Sequence, residues 1–166
     1  LALFSKNTLV VGLLCSILLF TGGAALAAWE AVGPADFADG DNYSNLVFSG
    51  DTPYLAFRDI DSRGKAAVMR FSGGAWQYVG AKGFSDGDAT DIALAFYNSV
   101  PYVAFADGTN SMKVTVMTFT GLSWEVVGNK GFSDGRAGWV NLAFSGSTPY
   151  VAFCDFANSD KVTVMR

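Results

Sequence analysis

Tyr43, Asp91, Trp139 and Phe156 are the residues whose types suit recognition chemistry and whose positions escape an otherwise repeated pattern. An aromatic ring beside a carboxylate suits a sugar, whose apolar face lies on the ring while its hydroxyls donate to the acid. Other chemistries are narrower. The sequence has no histidine, which removes His-based general acid/base work, Ser-His-Asp and Cys-His nucleophiles, and the common zinc sites. Acidic turns at Asp39-Gly40-Asp41-Asn42 and Asp86-Gly87-Asp88, with Asp91 nearby, hint at a calcium loop. Their spacing does not follow the EF-hand template, and the third copy places Arg136 after Asp134-Gly135. The reading adopted is a plain turn, with Asp bonding its own backbone and Gly at positive φ. No cofactor and no metal is expected. Cys154 has Arg58 and Ala106 at its place in the other copies, so it reads as a half-buried strand residue rather than a reactive thiol.

Those four residues stand on a scaffold that repeats. The phrases WEAVGPADFADG from Trp29, WQYVGAKGFSDG from Trp76 and WEVVGNKGFSDG from Trp124 are versions of one another. Pro53-Tyr54, Pro101-Tyr102 and Pro149-Tyr150 are spaced by 48, as are Val68-Met69, Val116-Met117 and Val164-Met165. Within a copy the apolar period is two, as in PYVAFAD (Pro101 to Asp107) and KVTVMTF (Lys113 to Phe119), which reads as strand. In the middle copy the four strands predicted are Ile92–Tyr97, Tyr102–Ala106, Lys113–Phe119 and Ser123–Gly128. Asp59/Lys65, Asp107/Lys113 and Asp155/Lys161 close the loop between second and third strands, where each forms a cross-strand ion pair in this reading.

Four short antiparallel strands repeated about every 48 residues is the pattern of a β-propeller blade. The expected fold class is all-β, with about three four-stranded blades after an N-terminal signal helix. The phrases W-x-x-V-G, G-F-S-D-G, P-Y-V-A-F-x-D and K-V-T-V-M resemble the blades of bacterial secreted β-propeller repeat proteins. That resemblance covers residues 28–166 and implies a fold but almost no function, since propellers host lectins, hydrolases and adhesion modules alike. The expected organisation is a signal peptide at 1–27, then repeats at 29–75, 76–123 and 124–166. The strand order, with WEAVG at Trp29 as a fourth strand and KVTVMR as a third, is the permutation by which propellers close. Three blades fall below the usual four. A piece of a longer propeller is the expectation, against closure by association of two or more chains into one ring.

The repeated Trp29, Trp76 and Trp124 read as outer-strand residues that pack one blade on the next. The loops that differ between copies, before the first strand and after the second, are where a binding face would be written; drift in a solvent loop explains the same variation. The apolar run Thr8 to Phe20 and the small-x-small Ala25-Leu26-Ala27 predict export and a secreted or cell-surface location, with a membrane tether only if the segment is uncleaved. A net charge of −4 gives no general attraction to nucleic acid. The function expected is a non-catalytic binding or adhesion module for an extracellular glycan or protein. A propeller-type hydrolase of glycans and a structural spacer of a larger surface protein are the alternatives.

Overall fold

The computed structural model describes residues 28–166; the signal peptide expected at 1–27 lies outside them. The chain divides into a unit ending at Glu30 and a second unit, Ala31–Arg166. Ala28, Trp29 and Glu30, the described end of the first, are exposed and carry no regular structure.

The second unit is all-β, with three antiparallel sheets in simple up-and-down order. The first contains β1 (Gly40–Ser49), β2 (Thr52–Asp59), β3 (Lys65–Ser72) and β4 (Ala75–Tyr78). The second contains β5 (Ala89–Tyr97), β6 (Val100–Asp107), β7 (Lys113–Phe119) and β8 (Trp124–Val126). The third contains β9 (Ala137–Ser145), β10 (Thr148–Asp155) and β11 (Lys161–Met165). Strand Lys113–Phe119 has its predicted ends. The first strand of the copy starts earlier than expected, at Ala89, while keeping its predicted end, and the second starts earlier, at Val100, because the turn is only Asn98-Ser99. Both residues have positive φ, at 49° and 63°, as a two-residue hairpin that matches strand twist demands. One expectation fails outright: Trp29–Gly33 is not a strand. Among the described residues, its partner in that reading, β11, has no fourth strand beside it.

The sheets stack through their faces, with β1 against β5 and β5 against β9. Middle strands are therefore covered on both sides. In β6, Val103, Ala104, Phe105 and Ala106 are all at most 1% exposed, so alternation governs which sheet a side chain meets rather than core versus solvent. One apolar cluster joins Ala56, Ala66 and Val68 of the first sheet to Leu94, Phe105 and Trp124 of the second. Another joins Ala104, Val114 and Val116 to Val140, Leu142 and Phe153.

A specific clasp recurs at two places. The indole N–H of Trp124 donates to the Val79 carbonyl at 2.8 Å, and its ring stacks on Phe84 at 4.2 Å. The indole N–H of Trp76 donates to the Val32 carbonyl at 2.9 Å, and its ring stacks on Phe37 at 4.8 Å. Val32 and Val79 hold the same place in the repeated phrase, as do Phe37 and Phe84. Each phrase thus ends in a socket for the Trp that begins the next. Gly80, at φ 77°, is required there: a Cβ would sit 2.8 Å from Phe119 and 3.2 Å from the indole.

The G-F-S-D-G part is a second device. Phe84 and Phe132 N–H groups donate to the Ala66 and Val114 carbonyls, each at 2.9 Å. Buried Ser85 Oγ accepts from Ala66 N–H at 2.9 Å and donates to the Gly87 carbonyl at 2.7 Å. Ser133 repeats this with Val114 and Gly135. The phrase thereby extends pairing along the third strand and engages both serine hydroxyls. Gly87 and Gly135 do not take the positive φ expected of them. They are glycines because a Cβ would lie 2.6 Å from Thr109 Cγ2 and 2.5 Å from Ala157 Cβ, in the next sheet's turn.

The expected Asp–Lys ion pairs are also corrected. Asp59, Asp107 and Asp155 are opposite Lys65, Lys113 and Lys161 in register, but the carboxylates turn inward to organise the turn. Asp107 is 3% exposed. It accepts from Thr109 N–H at 3.0 Å, Thr109 Oγ1 at 2.6 Å, Asn110 Nδ2 at 2.8 Å and Thr115 Oγ1 at 2.8 Å. Burial pushes its pKa up, but hydrogen bonds from Thr109, Thr115 and Asn110 outweigh burial and hold it below the ordinary carboxylate value.

Two outcomes follow. Trp124→Ala removes a buried indole and its bond to Val79, and is expected to cost about 3–5 kcal/mol in urea unfolding; a loss below about 1 kcal/mol contradicts the clasp. Asp107→Asn is expected to cost roughly 1–3 kcal/mol at neutral pH. Because the folded pKa is lowered, the carboxylate's contribution is present above the unfolded value of about 3.9 and fades as pH falls through the folded value. The gap between wild type and Asp107→Asn in unfolding curves should therefore shrink in acid; a gap that widens contradicts the assignment.

Candidate functional site

Tyr43, Asp91 and Trp139 occupy equivalent positions in β1, β5 and β9, each five residues before Phe48, Phe96 and Phe144. Each first strand breaks register there, between Gly40 and Ser44, between Thr90 and Ala93, and opposite Ala152 and Cys154. Such bulges re-aim a side chain out of the ladder. Asp91 and Trp139 sit at φ 52° and 50°, a region that bulky L-residues seldom occupy. The strain is held by neighbours: Trp139 N–H donates to Asp91 Oδ1 at 2.7 Å, and Thr90 Oγ1 donates to Asp91 Oδ2 at 3.0 Å.

The four residues singled out from the sequence meet in one open cleft of about 300 Å³, completed by Arg136, Ala137 and Gly138. Phe156 comes from the 3-10 turn Phe156–Asn158 that follows β10. Its N–H donates to the Arg136 carbonyl at 3.1 Å. The Trp139 and Phe156 rings are 6.1 Å apart and tilted by 42°, forming an open V. Arg136 lies over the Phe156 ring, its guanidinium carbon 5.3 Å from the centroid, a cation–π contact. Gly138 makes room for that ring: a Cβ there would be 3.1 Å from Phe156 Cε2. Trp139 stays 73% exposed, although the two other tryptophans of the second unit are packed.

Arg136 is a member that the sequence reading passed over, and Arg58 is another informative cation. Arg58 bridges Asp41 at 2.5 Å and Asp88 at 2.6 Å. The bonds it donates to Asp88 and then to Asp41 raise its pKa. Two of the acids that hinted at calcium, Asp41 and Asp88, are thus engaged with a guanidinium at the first junction. At the second junction Ala106 replaces Arg58 and Arg136 replaces Asp88, so Arg136 is released toward the cleft. The signal was available: both swaps fall at repeat positions where the charge changes sign or vanishes. Among the described residues, no group of three or more acidic or thiol side chains is placed to hold a metal ion.

The Cys154 side chain is half-buried, and its Sγ donates to the Asp160 carbonyl at 3.3 Å. Burial, then the charges of Asp160 and Asp155, push the thiol pKa up, which lowers its reactivity. No protein-family model and no curated protein sequence matches this chain.

Proposed function

We propose that the protein is a propeller-type binding module that acts outside the cell and takes a glycan in the cleft of Tyr43, Asp91, Trp139 and Phe156. Trp139 carries this reading. A large aromatic is held exposed, in a strained backbone conformation, at a position where the other copies have Tyr43 and Asp91. The scaffold does not require an indole there. Strain retained at one exposed aromatic is a mark of a recognition site. The V of two rings offers a face for a pyranose, and Arg136 offers donors for its hydroxyls or for an acidic sugar.

The propeller reading is supported by three face-packed meanders whose first strands adjoin one another, with the cleft at the ends of those strands. A hydrolase is disfavoured by the lining of the cleft. Glycoside hydrolysis uses two carboxylates flanking the bond, and Asp91 is the single acid among the cleft residues. Its Oδ1 is already engaged by the Trp139 N–H.

A glycan array probed with the full chain tests this. Wild type is expected to bind a subset of sugars. Trp139→Ala should bind them at least about tenfold more weakly, a loss of ~1.4 kcal/mol, with its unfolding curve unchanged. Equal binding by Trp139→Ala, or no sugar bound by wild type, overturns the proposal.

A further inference from the structure

Arg136 is a charge reversal at a repeated place. It follows Asp134-Gly135 where Asp41 follows Asp39-Gly40 and Asp88 follows Asp86-Gly87. Both of those acids bind Arg58, Asp41 within its own sheet and Asp88 across the first junction. At the second junction the residue in the place of Arg58 is Ala106, which is fully buried and has no polar side-chain atom. The two changes go together: a cation at 136 is tolerated because no cation stands at 106. Both sheets of that junction belong to the same chain, so the arrangement is internal to the fold.

Arg136 has no carboxylate of its own. Among the described residues it takes part in no ion pair. Asp91, the one acid that lines the cleft with it, is engaged elsewhere. Its Oδ1 accepts from the Trp139 N–H at 2.7 Å and its Oδ2 from Thr90 Oγ1 at 3.0 Å. The guanidinium rests instead on the Phe156 ring, 5.3 Å from the centroid. A π face answers the charge and leaves N–H donors for another acceptor. A planar fork of donors, held at the wall of an aromatic cleft, matches a carboxylate through two parallel bonds.

We propose that the sugar taken by the cleft is a uronic acid, and that Arg136 is the residue that selects it. This rests on the reading of the cleft as a glycan site. The pyranose lies against the rings of Trp139 and Phe156, and its carboxylate meets the guanidinium. Asp91 holds the wall in place and leaves Arg136 to the ligand. A single carboxylate is the charge that fits. Arg136 is the one cation among the cleft residues, and the chain has a net charge of −4. A polysulfated chain would meet one local attraction and a general repulsion.

Isothermal titration of the full chain with glucuronate-ended and galacturonate-ended oligosaccharides, each paired with its methyl ester, tests this. The ester keeps the shape of the sugar and removes its charge. Wild type should bind at least one acid at least about tenfold more tightly than its ester, and the preference should fall as salt rises. Arg136→Gln should bring acid and ester to about the same affinity. Arg136→Lys, which keeps the charge without the fork, should show a smaller preference than wild type. A wild type that binds no uronate, binds acid and ester alike, or binds a sulfated sugar more tightly overturns the proposal, as does a preference that survives Arg136→Gln. The wild-type ratio needs no variant, so the test stands even where Arg136→Gln folds poorly. Neutral sugars bound on the array with no preference for an acid sink this inference and leave the cleft reading intact; no sugar bound at all sinks both.

Discussion

The hydrogen bond from an indole N–H to the Val carbonyl of the preceding phrase is the contact on which the architecture turns. At the junction of the first and second sheets it fixes the approach, with Trp124 bonded to Val79 and its ring stacked on Phe84. It also explains why glycine follows that valine: the indole and Phe119 occupy the space a side chain would take. Apolar burial supplies most of the cohesion between sheets but is non-directional. The indole bond and the serine clasp add direction, so that a stack of nearly identical sheets settles in one register.

Division of labour between copies follows from the same constraint. Residues that make the clasp are repeated, and residues clear of it are free to differ. Tyr43, Asp91 and Trp139 lie at strand bulges, outside the ladder, where a change of side chain leaves the pairing untouched. Asp91 has a dual part. Its carboxylate lines the cleft and also holds the backbone of Trp139, which couples one sheet's bulge to the next sheet's exposed indole.

Much of this could be read from the sequence. The 48-residue spacing and the period-two runs gave the strands, and disagreement among copies led to Tyr43, Asp91, Trp139 and Phe156, which share a cleft. What escaped was contact between positions remote in sequence but adjacent across a junction. The inward turn of Asp107 depends on Thr115, eight residues on in the next strand. The glycine of the Asp-Gly pair answers to Thr109 in another turn, not to its own φ. Trp29 was misread because its phrase matches a strand in sequence, while a strand also needs a partner at its side.

Near-identity between junctions carries a hazard. The first strands β5 and β9 are close copies, so a folding chain has the option of docking the third sheet directly on the first and stranding the second. The charges discriminate against that error. In the observed order Arg58 meets Asp88; in the skipped order the residue arriving at that place is Arg136, and two guanidinium groups would oppose each other. The ion pair at the first junction therefore acts as an address, telling the sheets which neighbour comes next.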